Sequence, residues 1–296
     1  MTYPSHSTMD IKEFWKNSIL KVETPRFVPF RDNNILERYN TSFFISDPNL
    51  KIHATSAFYP LFAGIVQNTF DPDCFVEMVT LDKVSTNVGF QSLADGKIDL
   101  LCTTVPNEDQ METLKRSQKK LNFVAFAKEP LAFLLNTAND IDNLTIEQIK
   151  NCYEGKYHSW SEIGGDDALI HTYQLEKGNG SQSAFEKIVI GNAIDENHRE
   201  VPTMPGIVDC VASDEDGICY TYWSYYSKMY ANRLTKMAKV EGKDVTSPEY
   251  PLMYDIFLVY DTDNPNKNVS RLVDFILSEE GQKLVNICNR CQRTVK

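Results

Sequence analysis

Residues 121–135 read LNFVAFAKEPLAFLL, two apolar runs separated by a charged segment that ends in proline. A membrane-spanning helix needs about 20 apolar residues, and Lys128 and Glu129 interrupt this stretch well before that length. Short apolar runs bounded by proline are typical of buried β-strands. The stretch therefore predicts two strands, 121–127 and 131–135, with a break between them.

Strand and helix patterns alternate on both sides of this stretch. Before it, the apolar spacing predicts strands at 50–54, 74–80 and 98–102 and helices at 58–70, 90–93 and 108–117. After it, the spacing predicts strands at 218–222 and 254–260 and helices at 145–155, 185–190, 206–213, 269–277 and 278–288. Capping boxes are predicted at Thr145 with Gln148 and at Ser183 with Glu186. Such alternation is typical of an α/β sheet with crossover helices.

The N-terminal residues 1–45 are predicted to be an extension of the main domain. Apolar residues at helical spacing predict a short amphipathic helix near residues 10–20. A connection that carries prolines and asparagines follows, and we expect it to wrap over the main body of the protein.

The composition is that of an ordinary globular protein, with 42% hydrophobic and 24% charged residues among 296. This length is enough for two lobes. The formal net charge of −11 argues against nucleic acid as a partner, because that surface needs clustered lysine and arginine. Backbone N–H groups can nevertheless bind an anion locally, so the net charge does not identify the ligand.

No motif for metal binding or catalysis is present. The seven cysteines are scattered, and the Cys288–Cys291 pair lacks the second pair or nearby histidines of a zinc site. We interpret the thiols as buried structural residues, with a local disulfide between Cys288 and Cys291 as the alternative. Phosphate-binding P-loops and serine-nucleophile elbows are absent as well. We therefore expect no metal, no cofactor and no catalytic residues.

Small or hydroxyl-bearing residues recur just before predicted helices. These clusters lie at 54–57, 85–87, 103–104 and 178–181. The first N–H groups of a helix have no partner within the helix and carry partial positive charge, so several such ends together would bind an oxyanion without lysine or arginine. The same residue types also cap helices everywhere, and a purely structural role is the alternative for each cluster.

Four motifs occur in a characteristic order: DNLTIEQI at 142–149, SWSEIGG at 159–165, GNGS at 178–181 and LSEEGQ at 277–282. With the apolar strand at 121–127, this series resembles the phosphate-binding proteins of ABC transporters over about residues 50–292. The resemblance implies an α/β periplasmic-binding-protein type II fold with a ligand cleft between two lobes. Lobe 1 would comprise 46–130 plus 251–296, and lobe 2 would comprise 131–250.

The resemblance also implies a ligand site built from helix-start N–H groups and hydroxyls. Its expected residues are Thr55, Ser56, Ala57, Thr86, Asn87, Thr104, Gly178, Asn179, Gly180 and Ser181. Two positions depart from the family. Thr104 replaces an aspartate that accepts the proton of phosphate, and Leu175 replaces an arginine that forms paired hydrogen bonds to the anion. Phosphate is the first candidate ligand, while another oxyanion, another small solute or a degenerate site stays open.

The expected function is capture of a small anionic solute by a monomer that delivers it to an ABC transporter permease. The alternative is a sensory or scaffold domain with an altered or lost ligand site, which Thr104 and Leu175 motivate. An enzyme would need a clustered nucleophile and base. The family works outside the cytoplasmic membrane, often as a lipoprotein, so we expect an extracytoplasmic or periplasmic protein whose signal segment has been removed. A cytoplasmic protein is the alternative.

Overall fold

The computed structural model describes residues 24–47, 49–187 and 198–289. The helix predicted near residues 10–20 lies outside these residues. The described chain divides into two compact units. Among the described residues, the discontinuous unit contains residues 24–128 and 255–289, and the inserted unit runs from Glu129 to Tyr254. No helix among the described residues combines the length and apolar character required to cross a bilayer.

Strands and helices alternate along most of the described chain. The strands are β1 (Ile52–Thr55), β2 (Leu81–Val84), β3 (Leu100–Thr103), β4 (Leu121–Asn136), β5 (Asn143–Leu144), β6 (His171–Leu175), β7 (Arg199–Val201), β8 (Gly217–Tyr222), β9 (Thr235–Val240) and β10 (Met253–Asp261). The helices are α1 (Tyr59–Thr69), α2 (Thr86–Ala94), α3 (Glu108–Arg116), α4 (Ile146–Tyr153), α5 (Gly180–Phe185), α6 (Met204–Ala212), α7 (Lys267–Leu277) and α8 (Glu279–Asn289).

The sheet of the discontinuous unit has β1 at its centre. β1 pairs in parallel with β2 on one side and with β3 on the other, and β10 pairs antiparallel with β3. The side chains of Ile52, Ala54 and Leu100 are fully buried, as expected for parallel strands covered on both faces. On one face, Leu101 of β3 packs in a core cluster with Phe90 of α2 and with residues of α3.

Helix α1 is buried along its whole length, which explains its lack of charged residues. Its polar side chains bind the segment that precedes β1. Gln67 accepts the N–H of Phe30 at 2.8 Å, and Asn68 accepts the N–H of Tyr39 at 2.7 Å. The proline- and asparagine-bearing connection at residues 25–40 therefore lies against α1, as predicted.

The predicted strand at 74–80 is wrong. A 3-10 helix, Pro72–Cys74, and an exposed turn occupy this region, with Met78 in the left-handed conformation at φ 59°. The β-forming side chains of Val76 and Val79 are exposed. The strand is instead β2, which places Leu81 and Val84 in the core. The strand prediction failed because β-propensity reflects packing of side chains on a half-buried sheet, and Val76 and Val79 do not pack in this way.

The predicted break at residues 128–130 is also wrong, because β4 runs without interruption for 16 residues. Proline is compatible with extended backbone, and Pro130 lacks only the N–H. Next to it, Glu129 is buried, and its carboxylate accepts the N–H of Ser224 at 2.6 Å. One N–H that would otherwise lie buried without a partner is thus satisfied by a side chain.

The sheet of the inserted unit is organised around β4 and β8, which pair antiparallel. β9 pairs with the other edge of β4, and β6 lies parallel between β8 and β7. The sequence pattern did not predict β6, β7 or β9. An aromatic cluster fills this core: the rings of Phe185 and Tyr220 stack at 4.0 Å, and Tyr153 packs on Phe185 at 4.6 Å. The capping box at Thr145 with Gln148 is confirmed at the start of α4.

Most of the described cysteines are buried thiols. Cys102, Cys152, Cys210, Cys219 and Cys288 are buried, and Cys74 is half-buried. Cys288 of α8 lies against α1, where a Cβ on Gly64 would come within 2.7 Å of its Sγ. Burial raises the pKa of the thiols of Cys102 and Cys219. The interpretation as structural thiols is confirmed for the buried ones, whereas Cys291 lies outside the described residues.

The junction of α7 and α8 requires glycine at position 281. A Cβ there would lie 1.8 Å from the carbonyl oxygen of Phe275. We expect Gly281→Ala to destabilise the protein by about 2–3 kcal/mol, because the junction must move to relieve this overlap. Thermal unfolding measures the loss. Lys283→Ala on the same helix is the control, since its exposed ion pair with Glu279 contributes little. Equal stabilities of the two variants would contradict the prediction.

Glu129 gives the stability a dependence on pH. Burial raises its pKa to about 7, although hydrogen bonding by Ser224 and the charge of Lys228 act to lower it. Between its ordinary pKa of 4.5 and this value, the folded state binds the proton more strongly than the unfolded chain. The free energy of unfolding should therefore fall by on the order of 3 kcal/mol as pH rises through this window.

Glu129→Gln should remove this fall, because a neutral amide still accepts the Ser224 N–H. Urea unfolding at pH values from 5 to 8 measures it. Glu112→Gln, on an exposed part of α3, is the control and should retain the wild-type slope. If wild type and Glu129→Gln have the same slope, Glu129 is already ionised at pH 5.

Candidate functional site

The parallel strands of the discontinuous unit end in one row. Thr55 of β1 is paired with Val84 of β2, and Thr103 of β3 follows the pair formed by Ala54 and Cys102. The predicted site residues of this unit come at or directly after these ends. We call them, together with Thr103, the strand-end cluster: Thr55, Ser56, Ala57, Thr86, Asn87, Thr103 and Thr104. Parallel pairing alone brings these three chain segments to the same edge.

The helix α2 contributes its N-terminus to this cluster. Ser85 is the N-cap, and its Oγ accepts the N–H of Val88 at 3.3 Å. Thr86 and Asn87 are the first helical residues, so their N–H groups belong to the positive end of the helix dipole. The side chain of Asn87 is held in place by Gln110 of α3, whose Nε2 donates to Asn87 Oδ1 at 2.7 Å.

The other strand ends differ from the predicted helix starts. Ser56 and Ala57 lie in a turn before α1, and both the N–H and the hydroxyl of Ser56 donate to the carbonyl of Val84. Thr104 begins a loop, and α3 starts only after its own cap, Asn107. Prediction placed a helix directly after each cluster because capping residues and loop residues are of the same types.

Thr103 is a residue that the sequence analysis did not include in the site. It is fully buried, and its Oγ1 has no hydrogen-bond partner in the part of the chain that the structure describes. By strand alternation its side chain shares a face with Leu101, which α2 covers. In the sequence, only its position next to Thr104 indicated that Thr103 could belong to the site.

The loop of residues 178–181 lies between β6 and α5 in the inserted unit. Gly178 has φ 92°, which explains the glycine. Asn179 is the N-cap of α5 and accepts the N–H of Ser181 at 3.0 Å. Ser181 is 1% exposed, and its Oγ is without a partner among the described residues. Ser183 lies inside the helix and donates to the carbonyl of Asn179, so the predicted cap there is wrong.

Tyrosine hydroxyls donate hydrogen bonds to the backbone carbonyls of α5. Tyr222 donates to the carbonyl of Gly180 at 3.3 Å, and Tyr254 donates to that of Ala184 at 2.7 Å. Tyr220 donates to Gln182 and accepts the N–H of Leu175. Burial raises the pKa of Tyr254, which keeps its hydroxyl protonated. The loop is therefore positioned by neutral hydrogen bonds.

One cluster of ionisable groups has the spacing of a metal site. His171, Asp214 and Asp216 place one ligand atom each within 4.8 Å of one another. Asp214, however, already accepts bonds from Tyr173 at 2.6 Å and from Arg199 and His171 at 2.9 Å. Burial acts to raise the pKa of Asp214, but the bonds from His171 and Tyr173 outweigh it and lower the pKa to about 2. We assign this cluster a structural role, because its central carboxylate is occupied by protein donors.

Comparison with known proteins identifies the family. A family model described as a PBP superfamily domain matches residues 44–280. The chain belongs to this family. The strand-end cluster and the loop 178–181 both lie within the matched part of this PBP superfamily domain.

Sequence relatives share one description. The phosphate-binding protein PstS of Staphylococcus epidermidis is 26% identical over 224 residues, which cover 69% of this chain and 67% of the relative. PstS of Borreliella burgdorferi is 25% identical over 224 residues, or 70% of this chain and 77% of the relative.

Solved structures confirm the predicted α/β fold of the PBP superfamily domain. A substrate-binding protein from Clostridium perfringens with bound phosphate matches with a TM-score of 0.64 at 23% identity, covering 81% of this chain and 97% of its own. An ABC-type phosphate transport receptor from Vibrio cholerae matches with a TM-score of 0.58 at 18% identity, covering 80% and 96%.

The hydroxyl of Tyr254 should contribute measurably to the stability of the inserted unit. Tyr254→Phe leaves the buried carbonyl of Ala184 without this donor, and we expect a loss of about 1–2 kcal/mol in urea unfolding. Tyr260→Phe is the matched control, because the hydroxyl of Tyr260 accepts an exposed hydrogen bond from the side-chain amide of Asn122. A Tyr254→Phe protein as stable as the control would show that water replaces the lost donor.

Proposed function

We propose that this protein is a solute-binding protein that captures a small oxyanion, first of all phosphate, for an ABC transporter. The observation that carries the proposal is the strand-end cluster, where the start of α2 and the ends of β1 and β3 meet at one edge. The names of the relatives support phosphate in particular, since two PstS proteins and a phosphate-bound structure align over most of the chain.

The proposed ligand contacts are the residues that the sequence predicts. They are Thr55, Ser56, Ala57, Thr86, Asn87, Thr104, Gly178, Asn179, Gly180 and Ser181. The N–H groups of Thr86 and Asn87 supply partial positive charge at the start of α2. The hydroxyl of Ser181 supplies a further donor, and its buried position supports this role because a buried hydroxyl otherwise loses its hydrogen bonds to water.

Binding without catalysis is the proposed mode of action. None of the assigned residues carries a group that ionises near neutral pH, so they offer no general base or charged nucleophile. Release to a permease is the proposed next step. The protein would work as a monomer outside the cytoplasmic membrane, with attachment through a lipid as one form.

Isothermal titration of the purified chain with inorganic phosphate tests the function. We expect saturable binding with one site, and Ser181→Ala should weaken it by about tenfold or more, because a hydrogen bond to a charged group contributes about 1.5–3 kcal/mol. Ser270→Ala is the control, since the hydroxyl of Ser270 lies on the exposed part of α7 and donates to the backbone carbonyl of Lys267.

Two results would contradict the proposal. Absence of saturable phosphate binding by the folded wild-type chain would refute the function. Equal affinity of Ser181→Ala and Ser270→Ala would refute the assignment of the 178–181 loop.

A further inference from the structure

The helix α5 carries a buried glutamine directly after Ser181. Gln182 is 3% exposed, and both ends of its side-chain amide are hydrogen-bonded. Its Oε1 accepts the hydroxyl of Tyr220 in β8, and its Nε2 donates to Gln174 Oε1 in β6 at 3.1 Å and to Glu186 Oε1 at 2.7 Å. All of these residues belong to the inserted unit. One buried side chain therefore connects α5 with two strands of the sheet in the same unit.

Tyr220 extends this connection to both ends of the segment that contains the loop. Its hydroxyl accepts the N–H of Leu175, the last residue of β6, at 3.2 Å. Its ring stacks at 4.0 Å on Phe185, the last residue of α5. Burial raises the pKa of Tyr220, so the hydroxyl stays protonated and can donate to Gln182. The chain between Leu175 and Phe185 is thus held at its two ends by Tyr220 and between them by Gln182.

The connection requires a side chain at position 182 that donates and accepts at the same time. A glutamine amide does both without charge. A methionine of similar length forms neither hydrogen bond, and a carboxyl group forms both only when it is protonated. Buried polar groups that lose their partners are costly, so α5 is stabilised in the one position where the hydrogen bonds of Gln182 are all made.

The hydroxyl of Ser181 depends on this connection. A helix of six residues has little stability of its own, so its neighbours must fix where its side chains lie. Ser181 is 1% exposed, and its Oγ has no hydrogen-bond partner among the described residues. We propose that Gln182 is a positioning residue that fixes the hydroxyl of Ser181 for the ligand, while its own side chain bonds β6 and β8. The inference rests on the proposed function and names the residue through which the core of the inserted unit acts on a ligand contact.

A double-mutant cycle with inorganic phosphate tests whether Gln182 acts through Ser181. In isothermal titration, Gln182→Met should weaken binding by about fivefold or more, because the positioned hydroxyl forms a hydrogen bond to a charged group. In a Ser181→Ala chain the same substitution should change the affinity by less than about twofold, because the hydroxyl that it positions is already absent. Equal factors in the two backgrounds overturn the inference and leave the proposed function standing. Absence of phosphate binding by the wild-type chain refutes the proposed function and the inference with it.

A matched pair of tyrosine variants tests the same connection without changing α5. Tyr220→Phe removes the donor to Gln182 and should weaken phosphate binding by about threefold or more. Tyr226→Phe is the control, because its hydroxyl is buried in the same unit but bonds Thr235 and the carbonyl of Asn232. Thermal unfolding establishes that each variant is folded, and this pair decides the inference if Gln182→Met is not. Equal phosphate affinities of the two tyrosine variants overturn it.

Rescue by a conservative variant separates hydrogen bonding from a general loss of packing. Burial favours the protonated carboxyl of Gln182→Glu, which can accept from Tyr220 and donate to Glu186 as the amide does. The ionisable side chains that act on Tyr220 are Glu186, Cys219 and Tyr254. At pH 5.5 we expect Gln182→Glu to bind phosphate within about threefold of wild type, whereas Gln182→Met stays weaker by about fivefold or more. Equal losses in the two variants at this pH contradict the role of the hydrogen bonds.

Discussion

The parallel pairing of β1 with β2 and β3 determines where the candidate ligand-binding residues of the discontinuous unit lie. Because the three strands run in the same direction, the residues after Thr55, Val84 and Thr103 leave the sheet at one edge. The helix α2 starts at the same edge and turns its free N–H groups toward it. A shift of one residue in either pairing would move the strand-end cluster out of line and turn core side chains to the opposite face.

In the inserted unit, the loop at 178–181 is positioned by tyrosine side chains and not by the pairing of strands. Its short helix α5 has little stability of its own, since isolated helices of this length do not form in water. Hydroxyls of Tyr222 and Tyr254 bind its carbonyls, and the ring of Tyr220 stacks on Phe185 at its end. The aromatic core thus serves the loop at 178–181 directly, because the same tyrosines that fill the core hold the helix that presents Ser181.

Sequence patterns predicted the helices well and the strands less well. The cap at Ser85 and the capping box at Thr145 are local signals, and the structure has helices at both. Strand β2 and the course of β4 through Pro130 depend on partners distant in the chain, which periodicity does not describe. The site residues could be proposed from residue type and family resemblance. That the hydroxyls of Thr103 and Ser181 lack a hydrogen-bond partner among the described residues could not be predicted, because hydrogen bonding of buried atoms is decided by the tertiary structure.

The buried thiols of Cys102 and Cys219 can report local unfolding of the protein through their reaction with a thiol reagent. Thiolates are the reactive form of cysteine, and burial that raises the pKa of Cys102 and Cys219 suppresses that form. A maleimide or disulfide reagent can therefore modify them only when the surrounding structure has opened. Cys102 lies in the discontinuous unit and Cys219 in the inserted unit. The order in which the native chain takes up label would rank the kinetic stability of the two units without any engineered probe.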